Sequence, residues 1–382
     1  MNHLHTIEQD EHFAPRVLMS GGGTGGHIFP AIAIAQEIQK RYPKAEFLFI
    51  GALGKMEMEK IPQAGFRIEG LNIAGFDRGN LLKNFNLPFK VIQSLRKARQ
   101  IIKAFKPDFA VGTGGFASGP ALFVASMLGV PIFVQEQNSL PGKTNLFLAK
   151  RAKAVFTAYP EMNSFFGQTP TYFLGNPIRE NIITDKIDAR EAKQKLGLHP
   201  EQMVVLSVGG SLGSRTLNQA WAKHLESLQE KGIQLIWQTG KTEGQAIRTA
   251  HQKWAEEAQT PLLIKEFISD MGTAYAAADV IVSRAGAIAI SELAVAAKPV
   301  LLVPFPFAAE DHQTKNAQTL VDRNAAKMVR DTEMDARFWE TLTTLTDDEA
   351  LRQEISKNIA FFAKPNATQD IVNQMITMIK KP

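Results

Sequence analysis

The 382-residue chain contains no cysteine, which excludes disulfides and thiolate metal sites and is compatible with a reducing compartment. Nor does it hold an apolar run able to cross a bilayer. The most apolar stretch, residues 120–134, is broken by Ser126, Gly129 and Pro131, and a spanning helix needs roughly 20 apolar residues. Residues 1–15 mix His, Glu, Asp and Gln without a hydrophobic region, so a disordered extension is expected there rather than a signal peptide. Zinc-type His-Glu-x-x-His spacing is absent, and so is an Asp-x-Asp pair of the kind that holds a metal on a nucleotide diphosphate. No metal and no cofactor are expected.

What is present describes a soluble globular protein, with 45% hydrophobic and 21% charged residues and a net charge of +5. The length favours two domains. Residues 20–30 read Ser-Gly-Gly-Gly-Thr-Gly-Gly-His-Ile-Phe-Pro. The apolar run 16–19 precedes them as a buried strand, and 31–38 follow with helical spacing, Pro30 suiting a first turn. A strand–glycine turn–helix unit brings main-chain N–H groups close to an anionic ligand. Gly21, Gly23 and Gly26 have the G-x-G-x-x-G spacing of a dinucleotide site, but the second strand, 46–50, is followed by Gly51-Ala52-Leu53-Gly54 with no carboxylate to hold a ribose. A nicotinamide cofactor is therefore disfavoured.

Strands are expected at 16–19, 46–50, 66–71, 109–112, 131–135, 154–157 and 171–174, with helices between most of them, the pattern of a doubly wound parallel sheet. After an irregular stretch the pattern restarts at 203–208, with further strands at 233–237, 263–267, 280–283 and 300–303. The reading is α/β, with two Rossmann-like domains facing across a cleft: 16–178, and 179–364, with an amphipathic helix at about 365–382 free to return to either.

Glycine exceeds what a turn needs in four places, 21–26, 112–119, 209–214 and 284–292, each at a strand end. One such turn is as easily explained by tight strand–helix packing; four at strand ends argue for ligands. His27 opens the first helix, where the helix N-terminus favours neutral imidazole; a capping histidine would look the same. Glu136-Gln137-Asn138 ends a buried strand, and its polar groups need partners from protein or ligand. Asn138 is the better contact. Glu292 is expected in the first turn of a helix, either holding ribose hydroxyls or compensating the helix dipole. Glu310-Asp311-His312-Gln313 suits sugar hydroxyls, or is a solvated loop.

Residues 78–107 carry eight basic and no acidic residues. The helical stripe 91–105 reads as core. Leu81, Leu82, Lys83, Phe85, Leu87, Phe89 and Lys90 instead fit a surface that binds anionic lipid. A nucleic-acid interface would need stacking aromatics and a wider basic field. Arg179, in Asn176-Pro177-Ile178-Arg179, is the cation best placed in sequence to meet a leaving phosphate, with a structural salt bridge as its plainer use.

These motifs, in this order from about residue 16 to the C-terminus, closely resemble the MurG family of peripheral-membrane N-acetylglucosaminyltransferases. The resemblance implies a GT-B fold in which the last helix returns to the first domain. It also implies inverting transfer of GlcNAc from UDP-GlcNAc to the C4 hydroxyl of MurNAc on lipid I (undecaprenyl-pyrophosphoryl-MurNAc-pentapeptide), giving lipid II for peptidoglycan. Carried over by motif, the second domain binds the donor: Ile268 meets the uracil through its backbone, Glu292 holds the ribose, Gln313 binds the sugar with His312 nearby. Ser211 and the helix start Ala287, Ile288, Ala289, Ile290 and Ser291 cradle the diphosphate, with Arg179 beside the nucleotide. Thr24, Gly25, Gly26 and Asn138 reach the donor sugar or acceptor. Gly21, Gly22, Gly23, Gly114, Gly115 and Ser118 receive the lipid-linked diphosphate. His27, or alternatively Glu136, is the base. The implied partners are UDP-GlcNAc, lipid I, an anionic membrane and proteins of cell-wall synthesis and division. The implied location is the cytoplasmic face of the bacterial inner membrane. Residues 1–15 precede the family's first strand, and 306–310 form a slightly longer loop than in some relatives. The rival readings are a UDP-GlcNAc 2-epimerase-like enzyme and a non-catalytic nucleotide-sugar-binding membrane scaffold.

Overall fold

The computed structural model describes residues 13–73, 87–178, 182 and 187–380. The chain divides into two compact units, Met1–Ile178 with Asn366–Pro382, and Arg179–Pro365. In the first, β1 (Arg16–Gly21), β2 (Glu46–Ala52), β3 (Ile68–Leu71), β4 (Phe109–Gly114), β5 (Ile132–Glu136), β6 (Ala154–Thr157) and β7 (Thr171–Phe173) form one sheet. Its order is β3-β2-β1-β4-β5-β6-β7, with every pair parallel. Helices cover a parallel sheet on both faces, so its strands are continuous apolar runs rather than alternating ones. Val17, Leu18, Met19, Phe109, Ala110 and Val111 are all fully buried.

The second unit repeats the plan. β8 (Val204–Val208), β9 (Gln234–Gln238), β10 (Leu262–Lys265), β11 (Val280–Ser283), β12 (Val300–Leu302) and β13 (Lys327–Met328) pair in parallel in the order β10-β9-β8-β11-β12-β13. The two-residue β13 is not expected from sequence, since Lys327-Met328 has neither length nor alternation to mark it. Trp221, Trp237 and Phe338 centre this unit's core.

Two local features differ from the sequence reading. The first helix is Gly25–Arg41, so Pro30 is its sixth residue, not part of its first turn. The ring removes the N–H that Gly26 O would otherwise accept. The basic helix Leu87–Phe105 buries Ala98 and Ile102, yet leaves Phe89 71% and Ile92 49% exposed near its start. Lys90 beside them is half-buried. Leu81, Leu82, Lys83 and Phe85 lie outside the described residues, and so does the side chain of Leu87. Among the described residues no helix is long and apolar enough to cross a membrane.

The helix Ala367–Lys380 belongs to the first unit despite its distance in sequence. Ile371, Val372, Met375 and Ile376 are buried in that unit's core. Arg41 on the first helix donates to Asn373 Oδ1 and to Gln369 O, the latter at 3.3 Å.

Candidate active site

In each sheet the strand order reverses once, between β1 and β4 and between β8 and β11. In open α/β sheets, ligands bind beyond the carboxyl ends of the strands at such a point. The four glycine-rich turns follow these four strands and no others. That placement explains why glycine concentrates there.

In the first unit, the turns after β1 and β4 interlock. The register shifts between Ser20↔Gly112 and Gly21↔Gly114, which leaves Thr113 as a bulge. Thr113 Oγ1 donates to His27 O at 2.7 Å, and Gly22 N–H donates to Gly114 O at 3.2 Å. A Cβ on Gly115, whose φ is +92°, would lie 2.3 Å from Gly22 O. Only glycine permits that approach. His27, in the first turn of its helix, places Nδ1 3.0 Å from Gly22 O. A carbonyl only accepts, so Nδ1 is the donor in this contact, and in the neutral ring Nε2 then keeps its lone pair. The same ring stands against Gly114, with Nε2 3.1 Å from where a Cβ would be.

Several expected anion ligands are already engaged within the protein. Gly23 N–H donates to Glu57 Oε2 at 2.9 Å, and Gly22 N–H is held by Gly114. Gly25 and Gly26 occupy the first helical positions, whose N–H groups have no intrahelical partner. Ser118 Oγ is fully buried and has no hydrogen-bond partner among the described residues.

Glu136 is also engaged. Its Oε1 accepts from Asn138 N (3.0 Å) and Asn138 Nδ2 (3.3 Å), and its Oε2 from Gly142 N (3.0 Å) and Asn145 Nδ2 (2.8 Å). The geometry thus makes Glu136 a brace for the loop after β5 and leaves His27 as the group with an open acceptor. The Asn138 amide is oriented by Glu136.

In the second unit, Ser211 is exposed on the turn after β8. Ser214 caps the helix Arg215–Glu230 through Leu217 N (3.3 Å) and accepts from Arg284 Nη2 (2.5 Å). Arg284 also donates to Val303 O, Pro304 O and Asp331 Oδ1. One guanidinium therefore ties the turns after β8, β11 and β12 together. The helix Ala287–Ala296 begins on Gly286 without a side-chain cap. Ile290 N–H returns to Gly286 O at 2.9 Å and the Ser291 hydroxyl to Ala287 O at 3.2 Å. Of the five expected diphosphate ligands, Ile288 and Ala289 thus keep N–H groups at the orphan positions.

Glu292 stands in the second turn of this helix, not the first. It is 3% exposed and accepts from Tyr275 Oη at 3.3 Å. Ile268 N–H is held by Gln238 Oε1 at 3.0 Å, which leaves its carbonyl as the main-chain atom for a base. Gln238 Nε2 in turn donates to Gly210 O at 3.2 Å. Gln313 Oε1 accepts from Ala285 N (3.1 Å) and Phe305 N (3.0 Å). Two N–H donors fix the amide's orientation and leave its NH2 outward of that pair. Arg179 lies outside the described residues. Arg284, Gln238, Tyr275 and Glu57 escaped the sequence reading because their roles rest on partners distant in the chain.

Residues 17–157 match the glycosyltransferase family 28 N-terminal domain and residues 204–375 the family 28 C-terminal domain. A UDP-N-acetylglucosamine–N-acetylmuramyl-(pentapeptide) pyrophosphoryl-undecaprenol N-acetylglucosamine transferase of Christiangramia forsetii is 47% identical over 95% of this chain and 98% of its own. The chain belongs to the MurG family of glycosyltransferase family 28. The crystal structure of Acinetobacter baumannii MurG superposes with a TM-score of 0.78 at 31% identity, over 95% of this chain and 100% of that one. A putative UDP-N-acetylglucosamine 2-epimerase from Listeria monocytogenes reaches a TM-score of 0.62 at 14% identity, over 97% and 98% of the two chains. That likeness shows the shared GT-B-like fold alone.

Proposed function

We propose that this chain is the GlcNAc transferase that converts lipid I to lipid II in peptidoglycan synthesis. The observation that carries the chemistry is the His27 ring, with Nδ1–H fixed on Gly22 O and Nε2 open as an acceptor. In this reading Nε2 takes the proton of the MurNAc C4 hydroxyl as its oxygen bonds to the anomeric carbon of GlcNAc. The bond from that carbon to the β-phosphate oxygen breaks, and UDP departs with inversion. The first unit receives the acceptor. The second holds the donor: Ile268 O at the uracil, Glu292 at the ribose, the Ile288 and Ala289 amides at the diphosphate, Gln313 at the sugar. Amides at a helix N-terminus meet the charge that grows on the leaving phosphate, with Arg179 as the added cation.

Phe89 and Ile92, exposed on a helix rich in Lys and Arg, support docking to an anionic membrane from the cytoplasmic side. Proteins of cell-wall synthesis and division are the partners that such a site would meet.

The test is UDP release from UDP-GlcNAc with and without a soluble lipid I analogue. Release only with the acceptor is expected; release without it would favour an epimerase, and none at all a scaffold. His27→Ala should lower kcat by about 10²–10⁴, whereas Glu136→Gln should act chiefly on thermal stability. Unchanged turnover in His27→Ala at saturating substrates would show that the base is elsewhere.

A further inference from the structure

Glu57 is 1% exposed and opens the short helix Glu57–Gln63 beneath the first glycine turn. Burying a carboxylate is costly unless its oxygens are satisfied. Its Oε1 accepts from Ala52 N at 3.0 Å and its Oε2 from Gly23 N at 2.9 Å. Among the described residues it carries no ion pair. The carboxylate lies so close to Gly22 that a Cβ there would stand 2.2 Å from Oε1.

Gly23 N–H and Gly22 C=O belong to one peptide group. Its N–H points to Glu57, and its carbonyl accepts from His27 Nδ1 at 3.0 Å. A planar peptide relays such a pull, because donation to an anion strengthens the carbonyl as an acceptor. We propose that Glu57 is a positioning residue for the transfer reaction. Through the Gly22–Gly23 peptide its carboxylate holds His27 in the Nδ1–H tautomer and stabilises the imidazolium formed when Nε2 accepts the hydroxyl proton. This is the role of the third group that orients a catalytic base, here exerted across a peptide rather than by direct contact. Among the described residues, Glu136 approaches the ring through Asn145, since Asn145 Nδ2 donates to Glu136 Oε2 and, with the His27 ring, flanks Gly114. The four donors on Glu136 leave Glu57 as the anion in line with Nδ1.

The proposal rests on His27 being the base, and a double-mutant cycle separates the two. Glu57→Gln removes the charge and leaves one of the two N–H groups facing an NH2. Its kcat should fall about tenfold, a part of what a general base supplies, with the KM for UDP-GlcNAc unchanged because the loss is confined to the chemical step. In the His27→Ala background the same change should have no further effect. An unchanged kcat in Glu57→Gln, or an equal loss in both backgrounds, overturns the proposal while the base reading stands. Full turnover in His27→Ala removes both. If Glu57→Gln fails to fold, nitrogen-15 shifts of the His27 imidazole in the unaltered protein, assigned by their absence from His27→Ala, still decide. A protonated Nδ1 with a bare Nε2 is expected, and the opposite tautomer rules the relay out.

Discussion

Gln313 uses only half of its amide within the fold. Its oxygen joins Ala285 N to Phe305 N, so it fastens the turn after β11 to the loop after β12. This structural role and the proposed sugar contact can be separated by substitution. Gln313→Glu keeps an acceptor for both N–H groups and loses the NH2 donors that the proposed function assigns to a sugar. Its stability should stay within about 0.5 kcal/mol of the unaltered protein, while the KM for UDP-GlcNAc rises about tenfold, the value of one lost hydrogen bond to a substrate. Gln313→Ala abandons both N–H groups and should lose about 1–3 kcal/mol of stability as well. Calorimetry beside initial-rate kinetics checks this, and equal melting points for the two variants would contradict it. At this scale the sequence shows polar residues at strand ends, which is how Gln313, Asn138 and Glu292 could be named. It does not show which atoms the fold already occupies. The Gly23 amide, the Ile268 N–H and the Glu136 carboxylate all look open in the sequence and are engaged in the structure.

Elements were more legible, because their signals are local. Strands such as Ala154–Thr157 and Val280–Ser283 keep their expected bounds. β1, β2 and β4 run past theirs, since glycine adds nothing to an apolar pattern yet pairs as well as any residue. Strand order is another matter. No residue announces that β4 lies beside β1, and the convergence of the glycine turns in each unit became visible only through that order. The helix Met271–Ala277 gives the prediction proper to elements. Asp270 caps it, accepting from Thr273 N at 3.0 Å and Thr273 Oγ1 at 2.7 Å. The backbone and hydroxyl bonds from Thr273, aided by Lys195, hold this carboxyl below the ordinary aspartate range. A depressed folded value means that its contribution is complete above the unfolded pKa and disappears as pH falls through the folded one. Asp270→Ala should lose about 1 kcal/mol at neutral pH. Asp270→Asn, which caps equally well without titrating, should match the parent at neutral pH and lose less between pH 5 and the acid limit, about one group's worth. Urea titrations across that range measure the difference, and parallel acid limbs in Asn and Asp proteins would refute it.

The two units differ in how the chain builds them, and this gives a spectroscopic handle on each. All four tryptophans, at 221, 237, 254 and 339, fall in the second unit. Trp221 and Trp237 are fully buried in its core. Tryptophan emission therefore reports the second unit, to which the proposed function assigns the donor, whereas far-ultraviolet dichroism reports both. The first unit is discontinuous and needs the helix Ala367–Lys380, whose Met375 is fully buried against it. Met375→Ala should lower the first unit's stability by about 2–5 kcal/mol and move the dichroism transition alone. Adding UDP-GlcNAc should do the reverse. A ligand bound by the folded second unit stabilises it by about 2.7 kcal/mol at 100 times its dissociation constant, so the emission transition should rise in the parent and in Met375→Ala alike. Separate cores make such local transitions possible. An emission midpoint that follows Met375→Ala and ignores the nucleotide sugar would place the donor in the first unit, and with it the division of labour between the two sheets would be reversed.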